Sequence, residues 1–214
     1  MVVRIVKIVQ ILNRKYNVRI KRSEPFQTLI SCILSQRTKD ETTGPAADRL
    51  FKVADTPAKM LKLSSRRIAN IIYPVGFYNQ KAKRIRRVCR ILLNKYGGRV
   101  PKTRDELMQL PGVGAKTAAI VLAYAFGKPN VAVDTHVNRI SKRLGFVKEN
   151  SKPEKTQEVL ERLIPVNRQI IVNHLFVTFG KAICQPRVPK CYICPVEKLC
   201  PYPNKNLRQN MYPK

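Results

Sequence analysis

The sequence predicts an all-α fold. Apolar residues recur at helical spacing through almost the whole chain, and few segments alternate with the period of two that marks a half-buried strand. The breaks fall at Gly, Pro and capping residues. With 214 residues, 44% of them hydrophobic, there is material for one or two domains with a real core.

The elements follow in order. Met1 to Tyr16 reads as a helix. Pro25 opens a second, Phe26 to Leu34, which stops near Gln36 to Lys39. Thr42 to Phe51, Ala58 to Lys62 and Arg66 to Ile72 are the next three, the last ending at Pro74 and Gly76. Gln80 to Tyr96 is a long helix closed by Gly97 and Gly98. Thr103 with Glu106 three residues later forms a capping box for a helix reaching Leu110. The turn Pro111-Gly112-Val113-Gly114 leads into an Ala-rich helix that ends near Gly127. Asp134 precedes a helix from Thr135 to Leu144, Pro153 starts another that ends before Pro165, and Asn167 to Ile183 is the last. After Cys184 the chain is Pro-rich and loop-like.

Charge narrows the partners. Forty-two Lys and Arg stand against 13 Asp and Glu, a formal net of +29. Such an excess opposes the compact state unless a polyanion offsets it. Thr56 to Arg104 holds 14 Lys and Arg and no acid, including Lys81, Lys83, Arg84, Arg86, Arg87 and Arg90. A solvated helix face normally mixes both signs, so nucleic acid is the better reading of this stretch. A membrane is the poorer one. Arg4 and Lys7 interrupt the apolar N-terminus, which removes the core of a signal peptide. The longest apolar run, Ala118 to Phe126, is far short of the ~20 residues a spanning helix needs. The expected location is the cytoplasm, on chromosomal DNA.

Three features carry chemistry. In the Leu110–Ala118 segment, Gly112 and Gly114 permit a sharp turn and close approach of backbone N–H groups. The helix start behind them adds donors and positive potential, which suits a phosphate diester. An ordinary helix–turn–helix connection uses the same glycines. Lys116, in the first turn of that helix, is either a phosphate-binding cation or an amine nucleophile. Asp134 is the sole acid between Glu106 and Glu149 and is well suited to cap a helix. Cys184, Cys191, Cys194 and Cys200 have the spacing C-x6-C-x2-C-x5-C, enough to hold a metal centre. Zinc, an iron–sulfur cluster and free buried thiols all fit four cysteines, although paired C-x2-C knuckles are missing. Cys32 and Cys89 stand alone in apolar surroundings and are expected to be buried thiols, and His174 to be a core or interface residue.

These segments resemble the endonuclease III family of DNA glycosylases. The likeness runs through Leu34-Ser-Gln-Arg-Thr-Lys-Asp40, Gly76-Phe-Tyr-Asn-Gln-Lys-Ala82, the helix-hairpin-helix at Leu110–Ala118, Val131-Ala-Val-Asp-Thr-His-Val-Asn-Arg-Ile140 and the cysteine cluster, in the family's order. The resemblance implies two helical domains with a cleft between them. One is a central block, residues 21–127, ending in the hairpin. The other joins residues 1–20 to 128–214 and carries the loop 184–200.

It also implies a bifunctional glycosylase and AP lyase. Such an enzyme removes oxidised pyrimidines from duplex DNA and cuts the abasic strand by β-elimination through a lysine Schiff base. Lys116 is then the nucleophile. Asp134, across the cleft, is its proton acceptor or the stabiliser of the sugar cation. The four cysteines hold a [4Fe–4S] cluster, and Arg187 and Lys190 in its loop meet phosphates. Gly112, Gly114 and Lys116 grip the backbone.

A base-extruding enzyme must fill the gap it leaves. The family uses a glutamine in the first of these segments. Aligned on Thr-Lys-Asp, Arg37 takes that place and Gln36 precedes it. Phe77 matches the family's apolar wedge. The plainer alternatives are a solvated loop for Gln36 and Arg37 and a core aromatic for Phe77. The expected partner is damaged or abasic double-stranded DNA, bound by a monomer. The rivals are a mismatch or uracil glycosylase of the same superfamily, and a non-catalytic protein that uses the hairpin only as a clamp.

Overall fold

Helix formation here follows from apolar stripes that need burial and from punctuation that stops each helix where its stripe ends. The computed structural model describes residues 1–208, and among them there is no strand. The eleven α-helices of the described residues are α1 Val2–Tyr16, α2 Pro25–Ser35, α3 Asp40–Val53, α4 Pro57–Lys62, α5 Ser65–Ile72, α6 Tyr78–Tyr96, α7 Arg104–Met108, α8 Ala115–Phe126, α9 Thr135–Arg143, α10 Pro153–Leu163 and α11 Val166–Ala182. Two short 3-10 turns follow, at Cys191–Ile193 and Glu197–Leu199. No helix of the described residues is long and apolar enough to cross a membrane.

The chain divides into two units, Lys21–Lys128 and Met1–Ile20 with Pro129 onward. The terminal domain as expected runs to residue 214, of which 209–214 lie outside the described residues. In the central unit α2 packs on α3, α6 and α8, α5 on α3 and α6, α4 on α6, and α7 on α8. Leu29, Ile30, Ile33 and Leu34 of α2, Ile85, Val88 and Leu92 of α6, and Val121 of α8 are fully buried. The terminal unit packs α1 and α9 on α11, and α10 on α9. Ile5, Ile8 and Leu12 meet Ile140, Leu160, Leu175 and Phe176 in its core.

Boundaries moved by a residue or two. Thr103 caps α7 by accepting from Glu106 N, and its hydroxyl donates to the Glu106 carboxylate, so the two residues pair at the helix start as the sequence predicts. That helix ends at Met108, two residues before Leu110, because the chain must turn into the hairpin. Thr56 and Ser64 cap α4 and α5 in the same way.

Helix C-termini show a second regularity. Acids are scarce, and several cations find helix-terminal carbonyls instead. Arg49 donates to Ile71 O and Tyr73 O at the end of α5. Arg86 donates to Leu61 O and Leu63 O at the end of α4. Arg4 donates to Leu144 O behind α9. Each neutralises acceptors that a helix end leaves open and sits at the negative pole of its dipole.

Two expectations need correction. His174 is exposed, whereas its neighbour Asn173 is buried and donates to Ala132 O at 2.9 Å. A satisfied amide tolerates burial, and it turns the next residue outward. Cys89 is buried as expected, with its thiol pushed up to about 12 by burial, but Cys32 is only half-buried.

Candidate functional site

The hairpin is built by α7, the turn 110–114 and α8. Val113 N donates to Leu110 O at 3.0 Å, closing the turn. Gly112 has φ +77°, a conformation costly for any residue with a Cβ. A Cβ there would also stand 2.5 Å from Arg84 Cδ, so that side chain would have to shift away from Gln36. Gly114 is the N-cap of α8 and offers no side-chain cap, which leaves the first N–H groups of the helix open. Lys116 lies in that first turn and is exposed. Its charge reaches Cys32 on α2, where it partly opposes the burial that pushes that thiol up to about 11.

The second segment sits beside the hairpin. Gln36 donates through Nε2 to Gly112 O at 2.7 Å and accepts from Arg84 Nη1 at 2.9 Å. Its side chain is thus engaged with the turn, not loose in solvent. Arg37 is exposed, with φ +52°, and its guanidinium lies 5.9 Å from the centre of the Phe77 ring. Phe77 is 55% exposed with φ +59°, so it is not a core aromatic. Two adjacent non-glycine residues in the left-handed region cost about 1–2 kcal/mol each. Gln36, Arg37 and Phe77 line one open hollow with Gln80, Lys81 and Arg84.

Sequence reasoning missed two of these. Lys81 was grouped with the cationic cluster, yet it is 3% exposed. The signal was present: Lys81 stands on the stripe Lys81, Ile85, Val88, Leu92, spaced as one buried face of α6. Arg84 is half-buried one turn on and serves the loop, whereas Lys83, Arg87 and Arg90 are exposed. Those three are the members of the cluster that face solvent.

In the terminal unit, Asp134 caps α9, its Oδ1 accepting from Val137 N at 2.8 Å, and it is half-buried. The capping role read from sequence is therefore real. His136 packs against Gly180 of α11, whose Cβ would stand 2.6 Å from the imidazole Nδ1. Arg139 Nη2 lies 3.1 Å from that nitrogen and donates to Cys184 O at 2.9 Å.

The four clustered cysteines line one hollow with Leu144, Phe179, Ile183 and Val196. None is in a disulfide. Arg143 donates to Cys184 Sγ at 3.4 Å, to Gln185 O at 2.6 Å and to Pro186 O at 2.6 Å. Burial pushes the Cys194 thiol up to about 11, and the other three thiols act in the same direction. Among the described residues no three His, Cys, Asp or Glu side chains are grouped as ligands of one metal ion. Four thiols around one hollow are a donor set that a metal centre could use. Arg187 is exposed in this loop and Lys190 half-buried.

Comparison with known proteins agrees with this architecture. Residues 30–166 match the HhH-GPD superfamily of base excision DNA repair proteins. Endonuclease III of Thermotoga maritima is 48% identical over 182 residues, covering 85% of each chain. A trapped covalent intermediate of endonuclease III with DNA superposes with a TM-score of 0.87 at 35% identity, over 94% of this chain and 96% of that one. A thermostable thymine-DNA glycosylase superposes with a TM-score of 0.85 at 33% identity, over 93% and 95%. With its helix-hairpin-helix and its cysteine-bearing terminal loop, the chain belongs to the endonuclease III family of base excision DNA repair enzymes.

Proposed function

We infer that the protein is a bifunctional DNA glycosylase and AP lyase that removes oxidised pyrimidines from duplex DNA, with Lys116 as its nucleophile. The observation that carries this reading is the exposed Lys116 in the first turn behind the Gly112 hairpin, in a chain this similar to endonuclease III. An exposed amine next to open backbone donors is placed to meet a sugar whose phosphates the hairpin grips.

The reaction needs no oxidant. Once its proton has been taken, the Lys116 amine attacks C1′ as the glycosidic C–N bond breaks, and the base leaves with the electron pair and takes up a proton. Ring opening gives a Schiff base between the lysine nitrogen and C1′. Loss of a C2′ proton and breakage of the C3′–O bond expel the 3′ phosphate, and water then frees the amine. Asp134 accepts the lysine proton or stabilises the cationic sugar as the base departs. Its cap to Val137 N engages one carboxylate oxygen, so capping and catalysis are compatible.

Recognition falls to Gly112, Gly114, Lys116, Arg187 and Lys190 on phosphates, and to Arg37 and Phe77 at the opened base pair. The exposure of Phe77 and its pairing with Arg37 support that wedge assignment. Gln36, bound to the hairpin, supports the opening from behind. The enzyme acts as a monomer on chromosomal DNA in the cytoplasm. Cys184, Cys191, Cys194 and Cys200 would hold a [4Fe–4S] cluster. Bound there, such a cluster would order the loop that carries Arg187 and Lys190.

Borohydride trapping tests the reading. Damaged duplex DNA should give a covalent adduct with the wild-type protein and none with Lys116→Gln. Tight binding without adduct or base release would leave a clamp and refute the enzyme. The likeness to a thymine-DNA glycosylase favours one second reading, a mismatch enzyme. Single-turnover rates on oxidised pyrimidines against thymine or uracil opposite guanine decide between them. Visible absorbance of the anaerobically purified protein distinguishes iron–sulfur from zinc.

A further inference from the structure

Lys81 is a buried cation with no acidic partner at hydrogen-bond distance among the described bonds; its ammonium donates to Leu34 O at 2.6 Å, Gln36 O at 2.6 Å and Thr38 Oγ1 at 3.0 Å. Three donors meet three acceptors, so the group is fully satisfied. Leu34 and Gln36 close α2, and their carbonyls are among those a helix end leaves open. The backbone of Lys81 donates to Phe77 O at 2.9 Å. One residue therefore joins the loop that carries Gln36 and Arg37 to the helix start that carries Phe77.

The join is tight. A Cβ on Gly76 would lie 3.2 Å from Arg37 O and 3.3 Å from Thr38 Oγ1, so the two segments abut through backbone. Both exposed side chains stand on backbone in the left-handed region, which persists only where the surroundings over-determine it. Burial and nearby Arg84 push the ammonium down to about 8, which leaves it protonated and a triple donor at neutral pH. Its three oxygen acceptors favour the charged form further.

We propose that Lys81 is a positioning residue for base extrusion: it fixes the 35–38 loop against the 76–78 turn so that Arg37 and Phe77 enter the duplex as one preformed wedge. The inference rests on the glycosylase reading above and concerns the opening step, not the chemistry at C1′. Filling the gap with a rigid pair spares the ordering of two loose side chains at the moment of opening.

The test uses the full-length, cluster-loaded enzyme and the variants Lys81→Met, Lys81→Arg and Thr38→Val, each checked by thermal melting. Three single-turnover readouts are compared on one duplex. They are release of an oxidised pyrimidine, the fluorescence rise of 2-aminopurine beside the lesion, and borohydride trapping at a preformed abasic site. Lys81→Met should slow base release and the fluorescence rise at least tenfold while trapping at the abasic site changes less than threefold. Lys81→Arg, which keeps the donors, should recover part of the loss. Thr38→Val, which deletes one acceptor, should slow the same two readouts about threefold, and it decides the matter if Lys81→Met does not fold. Unchanged fluorescence in the variants, or an equal fall in all three readouts, overturns the positioning role. Absence of any adduct with the wild-type protein overturns the catalytic reading instead.

Discussion

The hairpin region and the cysteine loop hold functional residues by opposite means. Residues 35–38, 76–84 and 110–116 lie at the ends of helices whose stripes fill one core, and their polar contacts are closed by the chain itself: Lys81 on α2, Arg84 on Gln36, Gln36 on Gly112. Residues 184–206 contain nothing longer than a three-residue 3-10 turn and surround a hollow lined by thiols. Their anchors are long cationic side chains, Arg139 and Arg143 at the front and Lys205 on Glu197 at the back. The first region is specified by packing and hydrogen bonds alone. The second holds four half-buried thiols around one hollow, which gain little from one another unless they bind the metal centre proposed above.

The largest effect that would sharpen this contrast is chemical. Lys116→Gln should abolish strand cleavage and adduct formation while the melting temperature moves by less than about 2 °C, because Lys116 is exposed on a helix fixed elsewhere. A large fall in melting temperature would break the claim that packing alone holds the hairpin. Next is Asp134→Asn. Asparagine caps helices as well as aspartate does, so stability should hold within about 0.5 kcal/mol. Base release should fall about 10²–10⁴-fold if the carboxylate has its proposed role. Equal activity in the variant would reduce Asp134 to a cap.

Cys194→Ser probes the other side. If the four thiols hold the proposed metal centre, the substitution should bleach the visible absorbance, expose residues 184–206 to limited proteolysis and cost about 4 kcal/mol or more, because metal binding would then be folding energy. A variant that melts like the wild type would mean the loop stands by its own contacts, and the contrast with the hairpin would disappear. The smallest effect belongs to the capping box. Thr103→Ala removes the bond to Glu106 N and should cost about 1 kcal/mol in urea titration with no change in trapping.

Much of this was readable in the sequence because the signals were local. Thr103 with Glu106, Pro25, Gly97 and the hairpin glycines each declare a boundary within a few residues of chain. The cysteine spacing and Lys116 are likewise short-range patterns. What escaped is non-local. Lys81 looked like one more surface cation because its neighbours Lys83, Arg87 and Arg90 are exposed, and its acceptors are carbonyls more than forty residues away. Only its place on the stripe with Ile85 and Val88 hinted otherwise. Gln36 and Arg37 could not be ranked from sequence, since the difference is a bond from one of them to Gly112 O, 76 residues distant. His174, read as a core or interface residue, is exposed beside a buried Asn173 for a similar reason: the partner that makes burial of the amide tolerable, Ala132 O, is 41 residues away.

The habit of closing helix ends with cations has a consequence for acid. Carbonyl oxygens do not titrate, so the contacts of Lys81, Arg49, Arg86 and Arg143 keep their acceptors as the pH falls. The carboxylates held below their usual range by a lysine, Asp55 and Glu158, lie in exposed pairs. A depressed carboxylate adds stability that is lost as pH falls through its folded value, but pairs in open water contribute little. Protonating these two exposed carboxylates should therefore lower the melting temperature little, whereas the half-buried Lys205–Glu197 pair is the ion pair whose loss would be felt by its loop.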